Sequence, residues 1–395
     1  MKPAVAIVVQ RYGPEVTGGS EALARAVAER LTAAFDVTVY TTCARDYVTW
    51  KNELPEGEET SAGVRTRRFR SEEERDLASF NAFSDRIYDK PHGDADEVEW
   101  LRRQGPNVPR LVEALKADKD RFAAILFFTY LYYPTYWGLK AASERSILVP
   151  TTHDEPALRL SVFREVFALP KAFAFLTPPE AELVRSRFPL GDRPTLVAGI
   201  GIDDGQAPDV EAFKIRHDVR GPYALYAGRI DAGKGCAEMI AFYDRYRRAC
   251  RGAAELLLIG NLAMPEPRSP GVRYLGFVSE TEKRAALAGA AAVVCSSPYE
   301  SLSISLLEAM ALETPVLASA ASPVLLDHCR RSNGGLFYAS ADEFVESLDL
   351  LVREPALRRA LGANGLRYVD AEYRWPVVIE RYERLIVAVA GRTPD

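Results

Sequence analysis

The chain has 395 residues, 48% hydrophobic and 27% charged, with a formal net charge of −5. That length favours two domains, and the composition is that of a globular protein, neither disordered nor fibrous. The charge gives no nucleic-acid footprint. The five scattered cysteines (Cys43, Cys236, Cys250, Cys295, Cys329) form no CxxC pair and read as reduced thiols of a cytoplasmic protein, and the four histidines make no metal-ligand spacing.

The apolar run Ala4–Val9 reads as a first buried strand. It is too short to cross a membrane, and no other stretch reaches that length, so a membrane role would be peripheral. The loop Gln10–Ser20 holds Gly13, Pro14, Gly18 and Gly19. A helix over Glu21–Ala33 follows, with Leu23, Val27 and Leu31 on one face, and Val37–Thr41 completes a βαβ unit. Glycines at this first turn let a backbone approach a ligand and leave N–H groups for an anion. The pattern is not the GxGxxG fingerprint, and a plain loop with permissive glycines fits it as well.

Residues 47–105 are charged and irregular. Arg65, Arg67, Arg68 and Arg70 are followed by Glu72, Glu73 and Glu74, which reads as a solvated hairpin face and not as a lipid or nucleic-acid patch. Helices are expected over Asp94–Arg103 and Val108–Lys116, with Gln104-Gly105-Pro106 between them. Ala123–Thr129 is an apolar strand. The aromatic run Tyr130–Trp137 after it suits either a substrate cleft or the core side of a helix over Thr135–Ser143. Strand Ile147–Val149 ends in Thr151-Thr152-His153-Asp154-Glu155. There His153 can donate to a hydroxyl or phosphate, or simply be hydrogen-bonded beside a capping Asp154. Ala172–Leu176 and Thr195–Ala198 are the last strands of this half.

The turn-forming stretch Gly199–Pro208 marks a domain boundary. A second alternating series follows, with strands Tyr223–Ala227, Glu255–Ile259, Val272–Leu275, Ala291–Cys295 and Val316–Ala318. Its helices are Cys236–Cys250, Glu280–Ala288 and Ser303–Ala311. The loop Gly228–Gly235 after the first of these strands carries Arg229 and Lys234. Two cations on a permissive loop make a phosphate clamp, although two solvated surface cations would look alike. The stretch Cys295–Leu317 reads strand, loop, helix, strand, with Ser301 or Ser303 as the cap. Glu300 lies at the strand's carboxyl end, where open α/β sheets bind ligands. Glu308 sits on an apolar helix and needs partners, either hydroxyls of a ligand or an ordinary salt bridge. A closing helix is expected over Trp375–Ala390.

Four of these pieces, in this order, resemble the GT-B glycosyltransferases of family 4 (glycosyl transferase group 1). They are Gly18-Gly19-Ser20-Glu21, Gly199–Asp203, Gly228-Arg229 with Lys234-Gly235, and Glu300 with Glu308 followed by Ala309-Met310-Ala311. The resemblance implies an α/β architecture of two Rossmann-like, doubly wound parallel-sheet domains facing a cleft. It divides the chain into an acceptor-side domain (1–202), a nucleotide-sugar domain (203–373) and a C-terminal helix (374–395) that returns to the first domain. It implies a retaining, metal-independent transfer of a hexose-type sugar from a nucleotide-diphosphate donor to a glycan, lipid-linked or small-molecule acceptor, with no cofactor.

In that reading His153, Arg229, Lys234 and Glu300 act on the reacting groups. Gly18, Gly19, Gly260, Phe277, Val278, Ser301, Leu302, Ser303 and Glu308 bind the donor, and Tyr130, Tyr133 and Asp154 touch the acceptor. Ser301-Leu302-Ser303 stands where many members have GFG, which narrows the room for the sugar. An epimerase or hydrolase of the same fold, or a non-catalytic nucleotide-sugar or glycan binder, are the alternative readings.

Overall fold

A computed structural model describes residues 2–16, 18–250 and 254–391. The chain divides into two compact units, Met1–Gly199 with Ile379–Asp395, and Ile200–Val378. The boundaries expected from the sequence lie at 202 and 373. Residues 392–395 of the expected C-terminal segment lie outside the described residues.

The first unit is built on an eight-stranded sheet. Its strands are β1 (Ala4–Val8), β2 (Asp36–Thr42), β3 (Gly57–Ser61), β4 (Val64–Phe69), β5 (Ala124–Phe128), β6 (Ser146–Val149), β7 (Ala172–Phe175) and β8 (Thr195–Val197). The order is β3-β4-β2-β1-β5-β6-β7-β8, parallel throughout except for the antiparallel edge strand β3. β5 and β6 are buried along their whole length, which is why they read as unbroken apolar runs.

The hairpin expected around Arg65–Arg70 is present as β3–β4, but its face is not simply solvated. Arg68 is buried, paired with Glu59, and donates to the Tyr12 carbonyl at 2.8 Å. Arg67 pairs with Glu58 at 2.8 Å. β4 lies one strand in from the edge, and of the cluster only Arg65 and Arg70 are exposed.

The second unit has a six-stranded, all-parallel sheet. Its strands are β9 (Tyr223–Ala227), β10 (Glu255–Ile259), β11 (Val272–Gly276), β12 (Ala292–Cys295), β13 (Val316–Ser319) and β14 (Gly335–Tyr338), in the order β11-β10-β9-β12-β13-β14. The two doubly wound parallel-sheet units expected from the sequence are therefore both present. The helix Trp375–Ala390 runs with Ile379 onward in the first unit, and Val378, Tyr382, Leu385 and Ile386 are buried, as its apolar stripe requires.

Within the second unit, its entering and leaving segments are tied together. Ile202 N–H donates to the Tyr373 carbonyl at 2.6 Å, and Arg374 pairs with Asp204 at 2.9 Å.

Each sheet has a point where the strand order reverses. In the first unit it lies between β1 and β5, and in the second between β9 and β12. Loops leaving the carboxyl ends of such a strand pair diverge, and the crevice between them is where open α/β sheets take ligands.

Candidate functional site

In the second unit the loops that follow β9 and β12 meet at this reversal. Asp231 caps the short 3-10 turn Ala232–Lys234 by accepting from Lys234 N–H at 2.8 Å. Ser296, just past β12, donates its hydroxyl to the Lys234 carbonyl at 2.8 Å. Gly235 has φ 71°, and a Cβ there would lie 2.3 Å from the Ser296 carbonyl oxygen, so the two loops meet this closely only through glycine.

The result is an ion pair between Lys234 Nζ and Glu300 Oε1 at 2.9 Å, across the reversal. Arg229 stays exposed on the same loop and pairs with Asp231. Three of the expected reacting groups, Arg229, Lys234 and Glu300, thus share one rim. Lys234 and Glu300 are in contact there, and both keep part of their surface in solvent.

Neighbouring strand ends brace this rim. Gly228 N–H donates to the Ile259 carbonyl at 3.0 Å, Gly260 N–H to the Gly276 carbonyl at 2.9 Å, and the Tyr274 hydroxyl to the Gly260 carbonyl at 3.0 Å. Phe277, immediately after β11, is 77% exposed, and Val278 is half-buried. An exposed ring beside a glycine-laced strand end is available to a flat ligand group.

Beyond Glu300, Leu302 is buried and Ser301 and Ser303 are half-buried. Ser303 stands at the N-terminus of the helix Ile304–Ala311 without giving it a side-chain cap, and its φ is 115°. A non-glycine residue held there costs about 1–3 kcal/mol, and such outliers concentrate at ligand sites. The residue type is unusual for the backbone, but the backbone is one that glycine would adopt freely.

Glu308 lies on that helix, and its Oε1 accepts from Lys283 Nζ at 2.8 Å. Burial raises the Glu308 carboxyl above the usual range, and Lys283 partly offsets this. Lys283 itself is penalised by burial, but the Glu308 and Glu280 carboxylates outweigh that penalty and its pKa is raised. Lys283 was not singled out in the sequence. It lies 25 residues from Glu308, and only the fold brings the two helices together.

The first unit holds the remaining expected residues. Gly18 and Gly19 start the helix Gly19–Leu31, and the buried Glu21 in its first turn organises the loop. Glu21 accepts from Arg11 Nε at 2.9 Å, Gln10 Nε2 at 2.9 Å and Ser20 Oγ at 2.8 Å. At the ends of β5 and β6, Tyr130 is buried and donates its hydroxyl to Glu155 at 2.7 Å, and His153 Nε2 lies 3.7 Å from the other Glu155 oxygen. Asp154 pairs with Arg187 at 2.8 Å. Tyr133 opens the helix Tyr133–Ala141 and packs partly against the core.

The same unit has a cavity of about 210 Å³ lined by residues that include Trp50, Arg75, Asp76, Phe80, Arg102 and Asn107. Among the described residues no group of three or more His, Cys, Asp or Glu could hold a metal ion, and no helix is long and apolar enough to cross a membrane.

The segment carrying His153 is fixed by a carboxylate that sequence reading passed over. Glu180, in the first turn of the helix Pro178–Arg187, is fully buried and accepts from Thr152 N–H at 2.6 Å, Thr152 Oγ at 3.1 Å and Leu176 N–H at 2.6 Å. Burial pushes its pKa up to about 7 despite these donors. The native state therefore holds a proton that the unfolded chain releases above about pH 4.5. That contribution to stability is full below pH 4.5 and is lost as pH rises to 7. Wild type should be about 2 kcal/mol more stable at pH 5 than at pH 8 from this group alone. Glu180→Gln should remove the difference, as read by denaturant unfolding at the two pH values.

The family model described as "Glycosyl transferases group 1" matches residues 209–368, the stretch that carries the Arg229, Lys234, Glu300 and Glu308 cluster. Glycogen synthase of Thermus thermophilus is 31% identical over 214 residues, covering 52% of this chain and 48% of that protein. The chain spans between about a third and a half of the length of the curated relatives it matches.

Among solved structures, sucrose-phosphate synthase from Thermosynechococcus elongatus superposes with a TM-score of 0.75 at 19% identity, over 99% of this chain and 100% of that one. Anabaena HepE in complex with UDP and glucose does so at 0.69 and 12% identity, over 98% and 100%. The fold is the GT-B fold expected from the sequence.

Proposed function

We propose that this protein is a retaining glycosyltransferase that moves a hexose from a nucleotide-diphosphate donor to a glycan, lipid-linked or small-molecule acceptor without a metal ion. The observation that carries the reading is the Lys234–Glu300 pair at the strand-order reversal of the second sheet, 2.9 Å apart and partly open to solvent. A cation and a carboxylate side by side match the two ends of the scissile bond of a nucleotide sugar. Lys234 takes up charge on the departing diphosphate, with Arg229 beside it, and Glu300 accepts from hydroxyls of the sugar. Preorganised cations facing developing negative charge contribute strongly to such a step. Glu308 accepts from the ribose, and the exposed Phe277 lies against the base. On the same-face route, a departing phosphate oxygen takes the proton of the incoming hydroxyl. The carboxylates then bind and do not serve as the acid and nucleophile of a hydrolase.

The acceptor is assigned to the first unit, which carries Tyr133, Asp154 and the cavity beside Trp50, while His153 on the same loop as Asp154 is kept for the reacting groups. The relatives are named for making glycogen and sucrose phosphate, and HepE was captured with UDP and glucose, so UDP-glucose is the first donor to try.

The test is a thermal-shift screen of UDP-, GDP-, ADP- and dTDP-sugars, followed by mass spectrometry of acceptor mixtures with and without EDTA. A product one hexose heavier, formed equally in both, is the expected result. Loss of product in EDTA contradicts metal independence. Donor breakdown that never needs an acceptor favours a hydrolase or epimerase.

A further inference from the structure

Glu308 is the one charged residue on a mostly apolar helix, and its partner within the protein is a lysine from a different helix. We propose that Lys283 is a positioning residue that pins one oxygen of Glu308 and leaves the other to accept from the ribose diol of the donor nucleotide. This rests on the donor reading above and adds a residue to it.

Lys283 sits near the start of the helix Glu280–Gly289, one residue beyond the Ser279–Glu282 capping box that fixes the helix entry. Its Nζ lies 3.0 Å from Glu280 Oε1 and 2.8 Å from Glu308 Oε1. Glu280 is largely exposed, so a pair with Glu280 alone would leave the ammonium in water. The side chain instead turns inward and retains only 26% of its exposure. Glu308 Oε2 accepts no hydrogen bond from a described residue. One oxygen is therefore spent on the lysine and the other is open.

The charged groups that act most strongly on Glu308 are Lys283, Glu280 and Arg284, all from the same helix. Arg284 donates to the Asp204 carbonyl and is directed elsewhere. Glu280 carries the same charge as Glu308. Lys283 is thus the cation that opposes protonation of the buried Glu308. Without it the carboxyl would take up a proton, because a buried carboxylate that loses its partner neutralises. A protonated Glu308 presents an O–H donor where the ribose needs an acceptor. Lys283 also limits rotation of the carboxylate and so fixes the direction of Oε2.

The experiment measures binding of UDP, GDP and ADP by calorimetry, then compares the tightest with its 2′-deoxy counterpart from pH 6 to 9. Wild type should prefer the ribonucleotide with a flat profile across neutral pH. Lys283→Met should weaken ribonucleotide binding about tenfold for each unit by which the Glu308 pKa exceeds the assay pH. Affinity should recover toward pH 9, and the ribo-over-deoxy preference should vanish at pH 7. Lys283→Arg should restore both.

Wild-type binding by Lys283→Met at every pH overturns the assignment. So does a weakening that is equal at all pH values and leaves the ribo-to-deoxy ratio unchanged, since that is what a merely structural pair would give. If wild type binds none of the three but binds dTDP, this inference falls alone; if it binds none of the four, the donor reading falls with it.

Discussion

Replacing Lys234 by alanine should lower the transfer rate by about 10²–10³-fold, the range seen when one preorganised donor to developing charge is removed. The chain should fold nearly as well as before. The Lys234–Glu300 pair is partly exposed on both sides, and such a pair contributes at most about 1 kcal/mol once solvent screening is counted. The loop conformation does not depend on the ammonium. Asp231 holds Lys234 through its backbone N–H, and Ser296 through its carbonyl.

Steady-state turnover and a thermal melt on the same preparation separate the two effects. Arg229→Ala should cost less, because Arg229 is more exposed and already shares its charge with Asp231. Lys234→Arg should retain part of the activity, with a penalty for the planar head where a point charge sat. Wild-type turnover in Lys234→Ala would remove the diphosphate from this loop.

The alternation of apolar runs and amphipathic helices made most of the fold legible. β9 and β10 fell on the expected residues, and the closing helix Trp375–Ala390 was placed to the residue. The stretch from 320 to 374 was less legible, although it contains β14 and the helices Pro323–Ser332, Ala341–Arg353 and Pro355–Glu372. β14 is only four residues long and carries little periodicity. The helix starts did leave signals, since Ser322 and Ser340 cap them by accepting from Leu325 and Glu343 N–H.

At the site, residues on strand-end loops were legible because glycine and charge cluster there. Pairings between distant helices were not. Nothing in a window around Glu308 points to Lys283, and nothing around His153 points to Glu180. Aromatic residues misled in the opposite way. The run from Tyr130 reads equally as cleft lining or core, and the buried Tyr130 hydroxyl on Glu155 shows how one side chain can satisfy the core while lying at a strand's carboxyl end.

Gly260→Ala should be among the most damaging single-methyl changes in the second unit. Its φ is 128°, and an added Cβ would lie 2.1 Å from the Gly228 carbonyl oxygen and 2.8 Å from its carbon. The obstacle is backbone, so no side chain can swing aside. The positive φ costs about 1–3 kcal/mol and the forced separation of the β9 and β10 ends a similar amount, about 3 kcal/mol or more together. A loss of that size should lower Tm by roughly 10 °C for a unit of this length. Gly276→Ala is the internal control. Its φ of 81° carries the backbone strain, but nothing lies within 4 Å of the new methyl, so only the smaller cost should appear. Gly228 starts the loop that bears Arg229 and Lys234, so Gly260→Ala should also impair donor binding at temperatures where it remains folded, which Gly276→Ala should do far less. Melting curves and donor titrations on the two variants decide it: equal Tm values would mean that the contact between Gly228 and Gly260 is not what sets the height of this rim.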